Sequence, residues 1–154
     1  MSYDLGNPFH VAQVVPDLET AMDDLSSGLG VSWHSIQERE MHIRYRGELV
    51  KANLRFTYSR EGEPHIELLQ GSEGSVWGPE LAGMHHIGVW TDDFLTDVAR
   101  LESAGFAMEV TLASSTTDGP HAFTYHVGHG LRVELVPIEM RPAFESWFGG
   151  GEFG

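Results

Sequence analysis

HVAQVVPDLETAMDDLSSGLG (residues 10–30) and HIGVWTDDFLTDVARLESAGF (residues 86–106) align without a gap at an offset of 86 − 10 = 76 residues. His10 falls on His86, Asp17 on Asp93, Thr20 on Thr96, Leu25 on Leu101 and Ser27 on Ser103. A repeat of this length makes the chain a duplication of one supersecondary unit, and the unit decides the fold. Each copy opens with a short β-rich run, Val11 to Val15 or Ile87 to Thr91, which breaks at an acidic turn. Leu18, Met22, Leu25 and Leu29 then follow at helical spacing, as do Phe94, Val98 and Leu101, so each helix has one apolar stripe to lay on a sheet. Gly30 and Gly105 supply the stop signals.

Strand-like runs follow each helix, at about 32–38, 50–58 and 65–70 in the first half and 107–112, 121–127 and 131–137 in the second. Both halves therefore read βαβββ. IELL (66–69) and VELV (133–136) extend the repeat to the last strand of each half and pair Glu67 with Glu134. The expected fold class is α+β, with two tandem βαβββ modules, 8–70 and 84–138. A glycine-rich connector, 71–83, joins them, and a short C-terminal helix with a glycine tail follows at 139–154. One domain spanning 1–154 is expected, because neither half alone is large enough for a good core.

Alternation along the strands sorts the side chains. His10, Ala12 and Val14 share one face; Val11, Gln13 and Val15 share the other. His86, Gly88 and Trp90 correspond to the first set. Ile66, Leu68, Val133 and Leu135 form an apolar face suited to seat the helices, so Glu67 and Glu134 look the other way. His10, Glu67, His86 and Glu134 thus fall on one surface together with Leu69, Trp90 and Val136, which suits the lining of a pocket. Two imidazoles and two carboxylates make a site for one divalent cation, with Zn, Fe, Ni, Co and Mn all chemically acceptable. In six-fold coordination two positions remain for water or substrate. Of the adjacent pair His85 and His86, parity and repeat both select His86. His85 is expected with Ile87 and Val89 on the helix side or at a frayed strand start, so that His85→Ala keeps the metal and His86→Ala loses it.

Bulk properties narrow the partners. Nine basic against 23 acidic residues give a net charge of −14, which argues against nucleic acid, since phosphate neutralisation needs clustered Lys and Arg. No run approaches the ~18 apolar residues of a membrane span. The first ten residues lack a basic region followed by an apolar stretch, so a cytoplasmic location is expected. With no cysteine, disulfides and thiolate metal sites are excluded.

The motifs PFHVAQVVPDLE, HIELLQ, GMHHIGVWTDD and GLRVELVP together resemble the vicinal oxygen chelate superfamily, which includes glyoxalase I, methylmalonyl-CoA epimerase, extradiol dioxygenases and the bleomycin-resistance proteins. The resemblance spans nearly the whole chain and is nearest to the glyoxalase I and epimerase branches. It implies a glyoxalase-like fold, a curled mixed sheet around a central cavity, commonly in a homodimer. It also implies metal ligands on the first and last strand of each module, which are the same four residues that parity selects. The implied function is that of a metal-dependent isomerase, epimerase or lyase acting on a small molecule. The metal polarises a substrate oxygen, and Glu67 or Glu134 moves a proton as the catalytic acid/base. One departure stands out: LVKANLRFTYS shows no counterpart of the glutamate that the epimerase carries on a strand before Glu67. Two alternatives remain, a metal-free, antibiotic-sequestering protein of the bleomycin-resistance type and an extradiol-type dioxygenase, in which Tyr125 would match a tyrosine near the metal.

Around the four, His65 shares the face of Glu67 and could support it, while Tyr125 and Trp90 could wall the pocket. Trp33, Phe56 and Trp77 are further pocket or core aromatics. His121, His126 and His129 gather near the last turn, and His34 and His42 are expected to be exposed.

Overall fold

The computed structural model describes residues 5–114 and 122–154. Its elements run β1 (His10–Val14), α1 (Leu18–Leu29), β2 (Gln37–Tyr45), β3 (Glu48–Tyr58), β4 (His65–Gly71), β5 (Gly83–Thr91), α2 (Phe94–Ser103), β6 (Ala107–Leu112), β7 (Thr124–Gly128), β8 (Leu131–Pro137) and α3 (Arg141–Phe148). The strands close into a barrel in the order β1-β4-β3-β2-β6-β7-β8-β5. This is the mixed α+β architecture expected from the repeat, with the curled sheet that the resemblance implies.

Each half contributes four consecutive positions, and the halves join along the antiparallel pairs β1–β5 and β2–β6. β1–β4 and β5–β8 are parallel, whereas the strands between them pair antiparallel. A crossover helix follows the first strand of each module; the returning strands are joined by shorter connections. The tightest are Arg46-Gly47 and His129-Gly130, where both residues have positive φ (53° and 85°, 54° and 77°), as a two-residue hairpin matched to strand twist requires.

Both helices begin on a repeated aspartate. Asp17 accepts a hydrogen bond from the Thr20 amide at 3.0 Å, and Asp93 accepts one from Thr96 at 3.3 Å. Outside the barrel, α2 presents Phe94, Val98 and Leu101 to Val89, Val133 and Leu135. α1 lies over the equivalent face, Ala21 and Leu25 bordering Val11, Ile66 and Leu68. The opposite face points inward. There His10, Ala12 and Val14 are all essentially inaccessible, in a core shared with Phe9, Tyr58, Trp90, Phe144 and Trp147.

The second strand lies later than the sequence indicates, at 37–45 rather than 32–38. Its outward positions are charged, and only alternate residues such as Met41 and Ile43 face the core, so its apolar signal is thin. Of the earlier segment, Trp33 makes a single bridge to Ser59. Trp33 instead packs toward α1, its indole N–H reaching the Met22 carbonyl at 3.1 Å. The expected start of β7, including His121, lies outside the described residues. Among the described residues no helix is long and apolar enough to cross a membrane.

Candidate metal centre

β4, β1, β5 and β8 are neighbours in the barrel, and each carries one member of the quartet. Register brings them level. Ala12 lies between Glu67 on β4 and His86 on β5, and Gly88 lies between His10 on β1 and Glu134 on β8. Two small residues therefore sit where large ones would fill the space between opposed ligands. A Cβ on Gly88 would overlap the His10 ring.

The four side chains converge. His10 Nε2 is 3.0 Å from His86 Nε2, 3.2 Å from Glu67 Oε1 and 3.0 Å from Glu134 Oε1. His86 Nε2 is 3.3 Å and 3.1 Å from the same two oxygens. One ligand atom from each residue fits within a 4.8 Å span. Burial disfavours a charge on His10, yet the carboxylates of Glu67 and Glu134 outweigh it and lift its pKa to about 9. For Glu134 burial is likewise overcome, here by His86 and His10, which hold its carboxyl down at about 2. The site is thus built to contain positive charge between two carboxylates.

The donor set suits a divalent ion. Bonds of roughly 2.1 Å from N and O donors put adjacent ligands about 3.0 Å apart in an octahedron and about 3.4 Å apart in a tetrahedron. The five separations above, 3.0 to 3.3 Å, lie in that interval. Glu67 and Glu134 also line a cavity of about 220 Å³ whose walls are mainly Leu54, Phe56, Leu69, Phe123 and Phe144. His10 and His86 lie beneath it, buried to 0% and 1% exposure.

Two tyrosines flank the quartet. Tyr58 and Tyr125 both line the cavity, with ring centroids 5.0 Å from His10 and 4.8 Å from His86 respectively. Their pairing was legible: Phe-Thr-Tyr occurs at 56–58 and again at 123–125, each time nine residues before a glutamate of the quartet (67 − 58 = 134 − 125 = 9). Burial raises both phenols well above their usual range, so they remain protonated. The Tyr58 hydroxyl meets His10 Nδ1 at 3.1 Å, whereas the Tyr125 hydroxyl accepts the indole N–H of Trp77 at 2.7 Å.

Other sequence expectations meet different fates. His65 is buried but turns its Nδ1 to the Ser59 carbonyl at 2.7 Å and packs against Phe148, behind Tyr58 rather than on the quartet. Trp90 stacks on Phe9 at 4.0 Å in the core beside Phe144. Phe56 and Trp77 do line the cavity. His34 is buried and stacked on Phe148, contrary to the expectation of exposure, because α3 folds back over it; His42 is exposed. His126 is buried on the face of β7 away from the cavity, paired with Thr124 at 2.8 Å, and His129 meets the Ala104 carbonyl at 3.2 Å.

The largest correction concerns His85. Gln13 pairs with Met84 and Ala12 with His86, so residue 85 is the extra residue of a β-bulge. The bulge suspends alternation and buries His85 against His86 and Tyr125 instead of beneath a helix. Burial, with His86 and Arg132 nearby, lowers its pKa to about 3.

The topology is the one that the vicinal oxygen chelate resemblance implies, and comparison with known proteins agrees on the family and the fold. The profile of the Glyoxalase/Bleomycin resistance protein/Dioxygenase superfamily matches residues 9–125, and the chain belongs to that superfamily. Methylmalonyl-CoA epimerase from Mycobacterium tuberculosis superposes with a TM-score of 0.60 at 19% identity, over 85% of this chain and 87% of that one. A variant of the Streptomyces coelicolor methylmalonyl-CoA epimerase in complex with 2-nitronate-propionyl-CoA gives 0.58 at 19%, over 85% and 93%. A hypothetical protein from Bacillus halodurans gives 0.61 at 15%, over 84% and 92%. At these identities the likeness establishes the fold. No curated protein matches the chain.

Proposed function

We propose that this chain is a metal-dependent vicinal oxygen chelate enzyme of the isomerase, epimerase or lyase type. Its substrate is a small molecule with an acidic carbon beside a carbonyl-type oxygen. The observation that carries this reading is that the two carboxylates of a buried N2O2 set open onto a cavity whose other walls are mainly apolar, with Arg39, Tyr58 and Tyr125 as its further polar side chains. His10, Glu67, His86 and Glu134 would hold one divalent ion, and that ion would supply stabilisation of negative charge developing on a substrate oxygen.

The chain's own residues do the remainder. The phenylalanine-rich wall reduces the water around the carboxylates and so strengthens their electrostatic contacts. Glu67 or Glu134, facing the cavity, takes the proton from the carbon and returns it. Tyr125, its oxygen already accepting from Trp77, keeps its own O–H available to a bound substrate.

Methylmalonyl-CoA itself is not extended to this chain. β3 turns Leu54, Phe56 and Tyr58 to the cavity, and its one glutamate, Glu48 at the strand start, does not line it, so no counterpart of the epimerase glutamate faces the cavity from that strand. All four candidate ligands come from one chain. A homodimer, which remains part of the reading, is therefore not required to complete the quartet.

Elemental analysis of protein purified without chelator tests the proposal. About one Zn, Fe, Ni, Co or Mn per chain is expected, lost in His86→Ala. Glu134→Gln should weaken metal retention and abolish turnover of any substrate found; unchanged metal content and activity would remove Glu134 from both roles. A wild-type protein that neither carries nor takes up a divalent ion would sink the enzyme reading and leave a metal-free binder, for which a charge of −14 favours a cationic ligand.

A further inference from the structure

We propose that His85 is a positioning residue for the candidate metal centre, an imidazole that fixes the tautomer of His86; the inference rests on the metal-binding reading above. His85 Nε2 lies 2.7 Å from the Val76 carbonyl, and His85 Nδ1 lies 2.7 Å from His86 Nδ1. A carbonyl only accepts, so His85 carries its proton on Nε2. Its Nδ1 is then a lone pair and accepts from His86 Nδ1–H. That keeps a proton on His86 Nδ1 and leaves Nε2, which faces His10, Glu67 and Glu134, as the nitrogen that gives up any proton it shares with the carboxylates when a cation binds. The opposite direction of donation would put a proton on His86 Nε2 and block ligation.

The relay is held from behind. Val76 is fully buried in the connector between the modules, which therefore does more than join them. The His85 carbonyl accepts from Arg132 at 3.1 Å, and Arg132 is clamped by the buried carboxylate of Glu109 at 2.7 and 3.0 Å. The bulge that displaces His85 from strand alternation is what turns its ring toward His86.

The two halves differ at this point. In the first module the partner of His10 Nδ1 is a phenol, Tyr58. In the second, the equivalent phenol of Tyr125 is engaged by Trp77, and His85 takes over the contact. A neutral imidazole is a stronger acceptor than a phenol oxygen, so His86 becomes the more electron-rich ligand of the pair. Partners of this kind set ligand orientation and basicity, and their loss typically weakens metal binding about 10- to 100-fold.

The test measures zinc affinity of the full-length chain by chelator competition, together with the imidazole nitrogen resonances of ¹⁵N-histidine-labelled, metal-free protein. His85→Leu should bind zinc about 10- to 100-fold more weakly. His85→Gln, whose amide can donate to Val76 and accept from His86, should recover affinity to within about threefold, a rescue that a purely packing role would not produce. In the wild type His86 Nδ1 should be protonated whether or not Nε2 shares a proton with the carboxylates, and in His85→Leu a form with bare Nδ1 should appear. Wild-type zinc binding with an equally tight His85→Leu would overturn the role of His85 alone. A wild type that takes up no zinc overturns the metal centre and the role with it. Should His85→Leu fail to fold, the wild-type spectrum and His85→Gln decide: a bare Nδ1 on His86, or a glutamine variant as weak as His86→Ala, refutes the relay.

Discussion

Gly88 shows how much a single position controls here. It separates His10 from Glu134 across two strand pairings, in the place that Ala12 occupies between Glu67 and His86. Room for a methyl group exists at residue 12 but not at 88, where a Cβ would meet the His10 ring. Gly88→Ala is therefore expected to cost about 1–3 kcal/mol in chemical denaturation, the usual range for overpacking. It should also displace His10 and lower metal content, and a variant of unchanged stability and metal content would show that the ring has another place to go. Side-chain direction at this scale was readable wherever alternation held: His10, His86, Glu67 and Glu134 were all selected by parity. It failed at His85, because a bulge is a property of how two strands pair, and residues 83–88 of one strand carry no sign of their register against 10–14 of the other.

Among the elements, the repeated acidic turn is the clearest link from sequence to stability. Asp17, three residues past the end of β1, caps α1 by satisfying the Thr20 amide. Asp17→Ala should lower the unfolding free energy by about 1 kcal/mol, the common value of an N-cap, with Asp17→Asn close to wild type. Equal stability of the alanine variant would mean that tertiary packing alone sets the start of the helix. Helices α1 and α2 were legible because a capping residue, a 3.6-residue apolar period and a terminal glycine agree with one another. β2 was less so, since its outer face is charged and its inner face alternates only briefly; without the partner strand, SWHSIQE competes equally well for the same assignment. The connector reads as structureless glycine-rich chain, yet it buries Val76 and Trp77, each committed to a group near the quartet.

On the scale of the whole molecule, buried histidines couple global stability to pH. His126 is fully buried, with Nδ1 lacking a hydrogen-bond partner, and burial depresses its pKa from 6.5 to about 4. Above pH 6.5 both folded and unfolded chains hold it neutral and it contributes nothing. As pH falls from 6.5 to about 4 the unfolded chain takes up a proton that the folded chain refuses, so stability declines, by up to roughly 3 kcal/mol. His126→Leu should flatten this part of the profile when urea unfolding is followed from pH 7.5 to 4. A variant whose acid loss matches the wild type would assign the effect to other groups.

Closure of the barrel is also a property of the whole chain. The duplication, the two βαβ crossovers and the four inward polar residues follow from local periodicity and internal comparison, because helix and strand periods act over a few residues and a repeat is visible as soon as both copies are aligned. Four facts arise only when β1 meets β5 and β4 and β8 fall in beside them. These are the 3.0 to 3.3 Å spacing of the quartet, the inward turn of His85, the recruitment of Val76 and the assembly of a mainly apolar cavity beside two carboxylates. Each depends on strand register and on contacts between residues far apart in the chain, and such contacts are decided by packing rather than by the order of neighbours along the sequence.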